Sequence, residues 1–188
     1  MQFTFVSLAM VLGAALQASA QSLSVVSSSF SGNGCPQGSG TTISVTSGSI
    51  SYTPPSTFTA AVGPGVPVSA NLEACRIAIS ANIPSGFRFR FAQTNVPVTT
   101  STGSGNSEQV TDTYFFSSAA GTTATVTTTL TSTGSTTVSN VYSPATVWSP
   151  CGGSDIININ TQLRAIGSSA GSITSAGTIV TPITWQAC

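Results

Sequence analysis

Cys75-Arg76-Ile77-Ala78-Ile79-Ser80-Ala81, followed after Pro84-Ser85-Gly86 by Phe87-Arg88-Phe89-Arg90-Phe91, decides the fold of this chain. In the first segment Cys75, Ile77, Ile79 and Ala81 share one parity, and Arg76, Ala78 and Ser80 the other. In the second, three phenylalanines alternate with two arginines. Successive side chains of a strand point to opposite faces, whereas helical spacing would scatter the three rings around an axis. The period of two therefore reads as two half-buried strands. Between them Pro-Ser-Gly is turn chemistry, with a glycine free to take positive φ.

The same signals recur along the chain, and helix signals are nearly absent. Strands are expected at 23–30, 42–45, 49–53, 58–62, 114–116, 124–130, 145–148, 156–163 and 178–185, separated by Gly, Pro, Ser and Asn. Residues 99–107 have no periodicity and read as a flexible loop. No composition break divides 21–188, so one domain is expected: all-β, a two-layer antiparallel β-sandwich or jelly-roll-like fold. Residues 3–16 are almost wholly apolar, too short a run to span a bilayer, and lead into Ala18-Ser19-Ala20. Small-x-small after such a run is a signal-peptidase site, so residues 1–20 read as a signal peptide and the mature chain begins at Gln21. No second long apolar run follows, and no membrane association is expected after cleavage.

Secretion makes the four cysteines, Cys35, Cys75, Cys151 and Cys188, a disulfide framework of two bridges with three open connectivities. The expected pairing is Cys35 with Cys188 and Cys75 with Cys151, since the first bridge would tie the ends of the mature domain together. With no histidine and no close Cys-x-x-Cys pair, a metal site is not expected, nor is any cofactor.

Charged residues are only 4% of the chain and the net charge is zero, against roughly a quarter charged in an ordinary domain. Without a basic cluster, nucleic acid is excluded as a partner. Glu73, Glu108, Asp112 and Asp155 are the only side-chain carboxylates, and they read as solvated loop ends rather than a catalytic pair. A chain with so few titrating groups is expected to melt at nearly the same temperature from about pH 3 to pH 8. The lack of histidine also removes the usual base of a Ser or Cys nucleophile.

Binding residues are sought among the aromatics. Trp148 and Trp185 each lie just before a cysteine, where packing against a disulfide competes with a sugar-stacking platform. Two exposed tryptophans on one face would mark a carbohydrate-binding module. Phe87, Phe89 and Phe91 are expected in the core, with Arg88 and Arg90 flanking a ligand groove on the opposite face. Asn158 and Asn160 share a strand face; with Asp155 they supply too few oxygens for Ca²⁺ and read as an inward amide ladder. Thr122 to Thr137 is either an exposed β face or an O-glycosylated tract, and no Asn-x-Ser/Thr sequon occurs.

Six segments occur in a recognisable order: Gly34-Cys35-Pro36-Gln37-Gly38-Ser39; Val62-Gly63-Pro64-Gly65-Val66; Cys75-Arg76-Ile77 with Ile83-Pro84-Ser85-Gly86-Phe87; Tyr114-Phe115-Phe116; Trp148-Ser149-Pro150-Cys151-Gly152 with Ile157-Asn158-Ile159-Asn160-Thr161; and Trp185-Gln186-Ala187-Cys188. Together they resemble the small secreted fungal proteins grouped as a domain of unknown function, DUF4360. The resemblance implies a secreted four-cysteine β-domain and carries no catalytic residues to transfer. Leu72-Glu73-Ala74 and Thr94-Asn95-Val96-Pro97 depart from the family pattern. The resulting expectation is a non-catalytic extracellular protein at the fungal surface or wall or in the medium. Its expected partner is a cell-wall polysaccharide or a host extracellular protein. The alternatives are a host-directed effector or elicitor, a carbohydrate-binding module, and a carboxylate-dependent hydrolase.

Overall fold

The computed structural model describes residues 21–188; the expected signal peptide at 1–20 lies outside the described residues. Among the described residues thirteen strands follow one another: β1 (Ser24–Ser31), β2 (Thr42–Val45), β3 (Ser49–Thr53), β4 (Thr59–Val62), β5 (Leu72–Ile83), β6 (Phe87–Phe91), β7 (Gln93–Ser101), β8 (Ser107–Phe116), β9 (Ala124–Leu130), β10 (Gly134–Val141), β11 (Gly153–Ile166), β12 (Gly171–Ser175) and β13 (Ile179–Ala187). They form two antiparallel sheets. One is five-stranded in the order β1-β5-β11-β8-β9. The other runs β2-β3-β13-β7-β12-β4, with β10 added to β7 and β6 to β13. The fold is the expected β-sandwich.

Alternation builds the interior. Along β8 every second residue is buried, as it is through most of β11, and the two strands pair over ten residues from Ile157–Phe116 to Ile166–Ser107. Ile77 and Ile79 of β5, Ile157, Ile159 and Leu163 of β11, and Val110, Tyr114 and Phe116 of β8 are all at most 1% exposed. Facing them, Phe89 and Phe91 of β6 reach into an aromatic cluster. Phe89 meets Phe116 edge-on at 5.2 Å between centroids, Phe91 meets Tyr114 at 4.9 Å, and Tyr114 meets Tyr142 at 4.8 Å. Edge-to-face geometry places positive ring edges against negative faces, adding to the apolar area removed from water. The Tyr114 hydroxyl donates at 2.9 Å toward the Val147 carbonyl and lies 3.1 Å from that of Phe91.

Both bridges form, but with a different pairing: Cys35 with Cys75 and Cys151 with Cys188. Strand pairing is the cause. Because β1 runs beside β5 with Ser31 opposite Arg76, the loop after β1 returns to the start of β5, and Gly34 N–H bonds the Ala74 carbonyl at 2.9 Å. Cys35 is thereby delivered to Cys75. At the other end of the chain, β13 pairs with β6. Gly152 N–H bonds Phe87 O and Cys188 N–H bonds Gly86 O, each at 2.9 Å, so both cysteines flank the same turn. Each bridge staples neighbouring chain segments rather than the two ends of the domain.

Two expectations about regular structure are corrected. Residues 145–148 are irregular rather than a strand, because this segment caps β6 through Ser149 N–H to Phe89 O at 2.9 Å instead of joining a ladder. The supposed flexible stretch at 99–107 is strand at both ends, leaving only 102–106 as a loop.

Candidate functional site

Arg88, Arg90 and Trp148 meet on the outward side of β6. The Arg88 guanidinium carbon lies 4.6 Å from the Trp148 ring centroid and that of Arg90 4.7 Å, both cation–π distances. Arg88 donates to Gln186 Oε1 through Nε at 3.2 Å and Nη2 at 3.0 Å, and Arg90 donates to the Ala145 carbonyl. These contacts pin the irregular segment across β6 and engage the indole within the fold. Trp185 lies elsewhere. Opposite Phe89 in the β6–β13 register, its ring packs inward at 5.2 Å from the Phe89 ring, and its Nε1 donates to Ser47 O at 2.7 Å. Both indoles are half-buried, on opposite sides of the β6–β13 ribbon. They form no common platform.

Three of the four acids are not at solvated loop ends; Glu73, at the start of β5, remains partly solvated. Glu108 and Asp112 occupy inward positions of β8 and are fully buried, and Asp155 on β11 is 8% exposed. Asp112 accepts from Asn140 Nδ2 at 2.6 Å and from the Thr161 hydroxyl, which itself accepts from Tyr52 at 2.6 Å. Burial raises the Asp112 carboxyl to about 6, against the opposing pull of the Thr161 and Asn140 hydrogen bonds. Asp155 accepts from Ser118 N–H at 3.1 Å and Ser118 Oγ at 2.6 Å, and Glu108 from Thr102 Oγ1 at 2.5 Å. Half-buried Glu73 is raised by desolvation. No two of these carboxylates are held by a shared hydrogen-bond partner among the described residues.

Asn158 and Asn160 face outward, correcting the inward ladder. They share a parity with exposed Ile156 and Arg164, while Ile157, Ile159 and Thr161 point into the core. The register places Asn160 between Arg76 on β5 and Thr113 on β8, and Asn158 between Ala78 and Phe115. These six side chains line a shallow cavity of about 340 Å³ in the middle of the five-stranded sheet's outer face. Its volume lies within the roughly 300–1,000 Å³ of small-ligand pockets. Asn158 Nδ2 donates to Ser117 Oγ at 3.0 Å and to Ile156 O at 3.2 Å, whereas the buried Asn160 Oδ1 has no partner among the described residues. Toward β9 the face continues as hydroxyl pairs, Thr113–Thr125 at 3.1 Å and Thr111–Thr127 at 2.8 Å. One aromatic ring, two amides and a guanidinium thus sit among neutral hydrogen-bonding groups. The period of two marks Phe115 as outward between buried Tyr114 and Phe116, a signal present in the sequence and masked there by three aromatics in a row.

A curated relative, an uncharacterized secreted protein of Arthroderma benhamiae, is 26% identical over 142 residues, covering 74% of this chain and 58% of the relative. The chain thus spans under two thirds of that protein's length. Among solved structures, TmCBM61 in complex with beta-1,4-galactotriose aligns at 8% identity over 88% of this chain and 91% of that one, with a TM-score of 0.32. The family 11 carbohydrate-binding module of Clostridium thermocellum, in complex with a beta-1,3-1,4-mixed-linked tetrasaccharide, aligns at 9% identity over 86% and 96%, with a TM-score of 0.29. At such TM-scores neither likeness bears on fold or ligand. The family model for the domain of unknown function DUF4360 matches residues 21–188 in full. Carrying two disulfides and a secreted relative, this extracellular chain belongs to the DUF4360 family.

Proposed function

We propose that this is a non-catalytic extracellular binding protein for polysaccharide, such as that of a cell wall, engaged on the outer face of the five-stranded sheet. The observation that carries the reading is the cavity where Phe115 stands beside Asn158, Asn160 and Arg76. An aromatic ring offers a face to the C–H side of a pyranose, and the amides bond the hydroxyls at its rim. The floor is rigid, because β11 is the central strand of the sheet and pairs on both sides along this stretch. The non-catalytic part is supported by chemistry: three of the four carboxylates are buried and hydrogen-bonded inside the fold, and the cysteines are bridged.

Co-sedimentation with insoluble wall polysaccharides tests the site. Phe115→Ala and the pair Asn158→Ala/Asn160→Ala abolish retention while the melting temperature is kept, and Trp148→Ala leaves retention intact. Retention that survives loss of Phe115 and both asparagines overturns this placement. Turnover of the same polymers, lost in Asp155→Asn, overturns the non-catalytic reading. The same reading takes residues 1–20 as a cleaved leader, and amino-terminal sequencing of the secreted protein then begins at Gln21.

A further inference from the structure

The chain's charge is zero only as a sum; its two signs are segregated in space. Asp112 and Glu108 are fully buried, Asp155 is 8% exposed, and Glu73 is half-buried at the start of β5. All four lie on the inward parity of their strands, opposite Thr161, Ala165, Ala81 and Leu163 respectively. The arginines have the other parity. Arg76 and Arg164 are exposed on the outer face of the five-stranded sheet, and that face carries no carboxylate among the described residues. Unlike Arg88 and Arg90, which are engaged by Trp148, Gln186 and Ala145, neither of these guanidiniums bonds a protein acceptor among the described residues. Two free cations thus sit on a surface of otherwise neutral hydrogen-bonding groups.

Their placement is ordered. Arg76 lines the cavity opposite Asn160. Arg164 stands opposite Leu72, four residues back along β5 from Arg76. At about 3.4 Å per residue and about 4.8 Å between strands, the two positions lie roughly 14 Å apart. Asn160 and Gln162 share Arg164's face of β11 and lead toward it from the cavity. The track from Phe115 and Asn160 to Arg164 accommodates a run of a few sugar residues. A carboxylate on such a chain would meet a guanidinium fork with no internal acid competing for it.

Resting on the polysaccharide reading above, we infer that the ligand is an acidic polysaccharide, a polymer bearing uronate carboxylates, read by Arg76 and Arg164. A face with few charges sees a weak general field, so the discrimination comes from direct charge-assisted hydrogen bonds at these two positions.

Calorimetric titration compares three probes: polygalacturonate, its methyl ester and a neutral β-glucan. De-esterified polymer binds tightest, and its affinity falls as sodium chloride rises past about 0.15 M, where charges beyond about 8 Å are screened. Arg76→Gln/Arg164→Gln weakens that probe by at least about tenfold, one decade in Kd. The loss is far smaller for the ester, the melting temperature is kept, and Arg88→Gln leaves all three affinities unchanged. If ester or glucan binds as tightly as the acid form, or the double variant loses all probes equally, the charge assignment falls while polysaccharide binding stands. If no polymer binds, both fall. Tighter binding of single-stranded DNA than of polygalacturonate overturns the uronate identity.

Discussion

Asn140 Nδ2 donates to Asp112 Oδ2 at 2.6 Å, tying β10 of the larger sheet to β8 of the smaller one through a buried carboxylate. Asn140 is fixed in turn: its Nδ2 also bonds Val110 O at 3.2 Å and its Oδ1 accepts from Thr128 Oγ1 at 2.6 Å. This contact crosses between the layers at a position where ionisation is costly. Stability should therefore depend on pH in a direction the composition alone does not suggest.

Burial lifts the Asp112 carboxyl from 3.8 to about 6. Between those values the folded chain holds a proton that the unfolded chain releases, so stability falls as pH rises through the window. At 1.36 kcal/mol per unit the gain on acidification approaches about 3 kcal/mol. A slope is thus predicted in place of a flat profile. Denaturant melts at pH 4 and pH 7 should show the protein more stable in acid, and Asp112→Asn should remove most of the difference. Equal midpoints at both pH values would contradict the buried-carboxylate assignment.

All three tyrosines, Tyr52, Tyr114 and Tyr142, are buried, and desolvation raises each phenol, Tyr114 to about 12. The folded state keeps its phenols protonated, so stability is retained up to about pH 10 and lost above it. Absorbance near the phenolate band should stay flat through pH 11 and then rise in one step with unfolding. A smooth titration centred on the free-tyrosine value, with native circular dichroism intact, would place at least one ring at the surface.

Each disulfide closes a loop of similar size, with sequence separations of 40 and 37. Removing either one by paired Cys→Ser changes should cost about 4 kcal/mol on the loop-entropy scale. Peptide mapping should recover Cys35 linked to Cys75. A Cys35–Cys188 peptide would contradict the strand pairing itself, because it requires the loop after β1 to leave β5.

Phe116 is fully buried and meets both Phe89 and Tyr114 edge-on. Phe116→Ala should cost about 3–5 kcal/mol, the range for emptying an aromatic site. Phe115→Ala, one residue away on the open face, should cost under about 1 kcal/mol. Similar losses at the two sites would mean that the register of β8 is wrong.

That contrast shows what was legible in the sequence. Strict alternation at Cys75–Ala81 and Phe87–Phe91 marked β5 and β6, and neighbouring turns marked the hairpins. Three strands were hidden. β7 contains Pro97, normally a sign against a strand, and β10 and β12 are mostly Ser, Thr and Gly with few apolar residues to set a period. For the acids of β8, polarity points to solvent while parity points to the core, and parity prevails. Glu108 and Asp112 sit in phase with Val110 and Tyr114, and the alternation itself placed them inward. The candidate face follows from the same parity: Ile157 and Ile159 point into the core, so Asn158 and Asn160, which share the other side of β11, face outward. Disulfide pairing depends on which strands are neighbours, and local pattern does not contain that.

The most direct measurement is a two-dimensional nitrogen–proton NMR titration of the labelled protein with a uronate oligosaccharide. Binding at the proposed face should shift the backbone amides around Arg76, Phe115, Asn158 and Asn160 and the side-chain amides of the two asparagines. The indole N–H signals of Trp148 and Trp185 should stay in place. Shifts concentrated on the two indoles and the amides of β6, with the centre of β11 silent, would contradict the assignment of the five-stranded face as the binding surface.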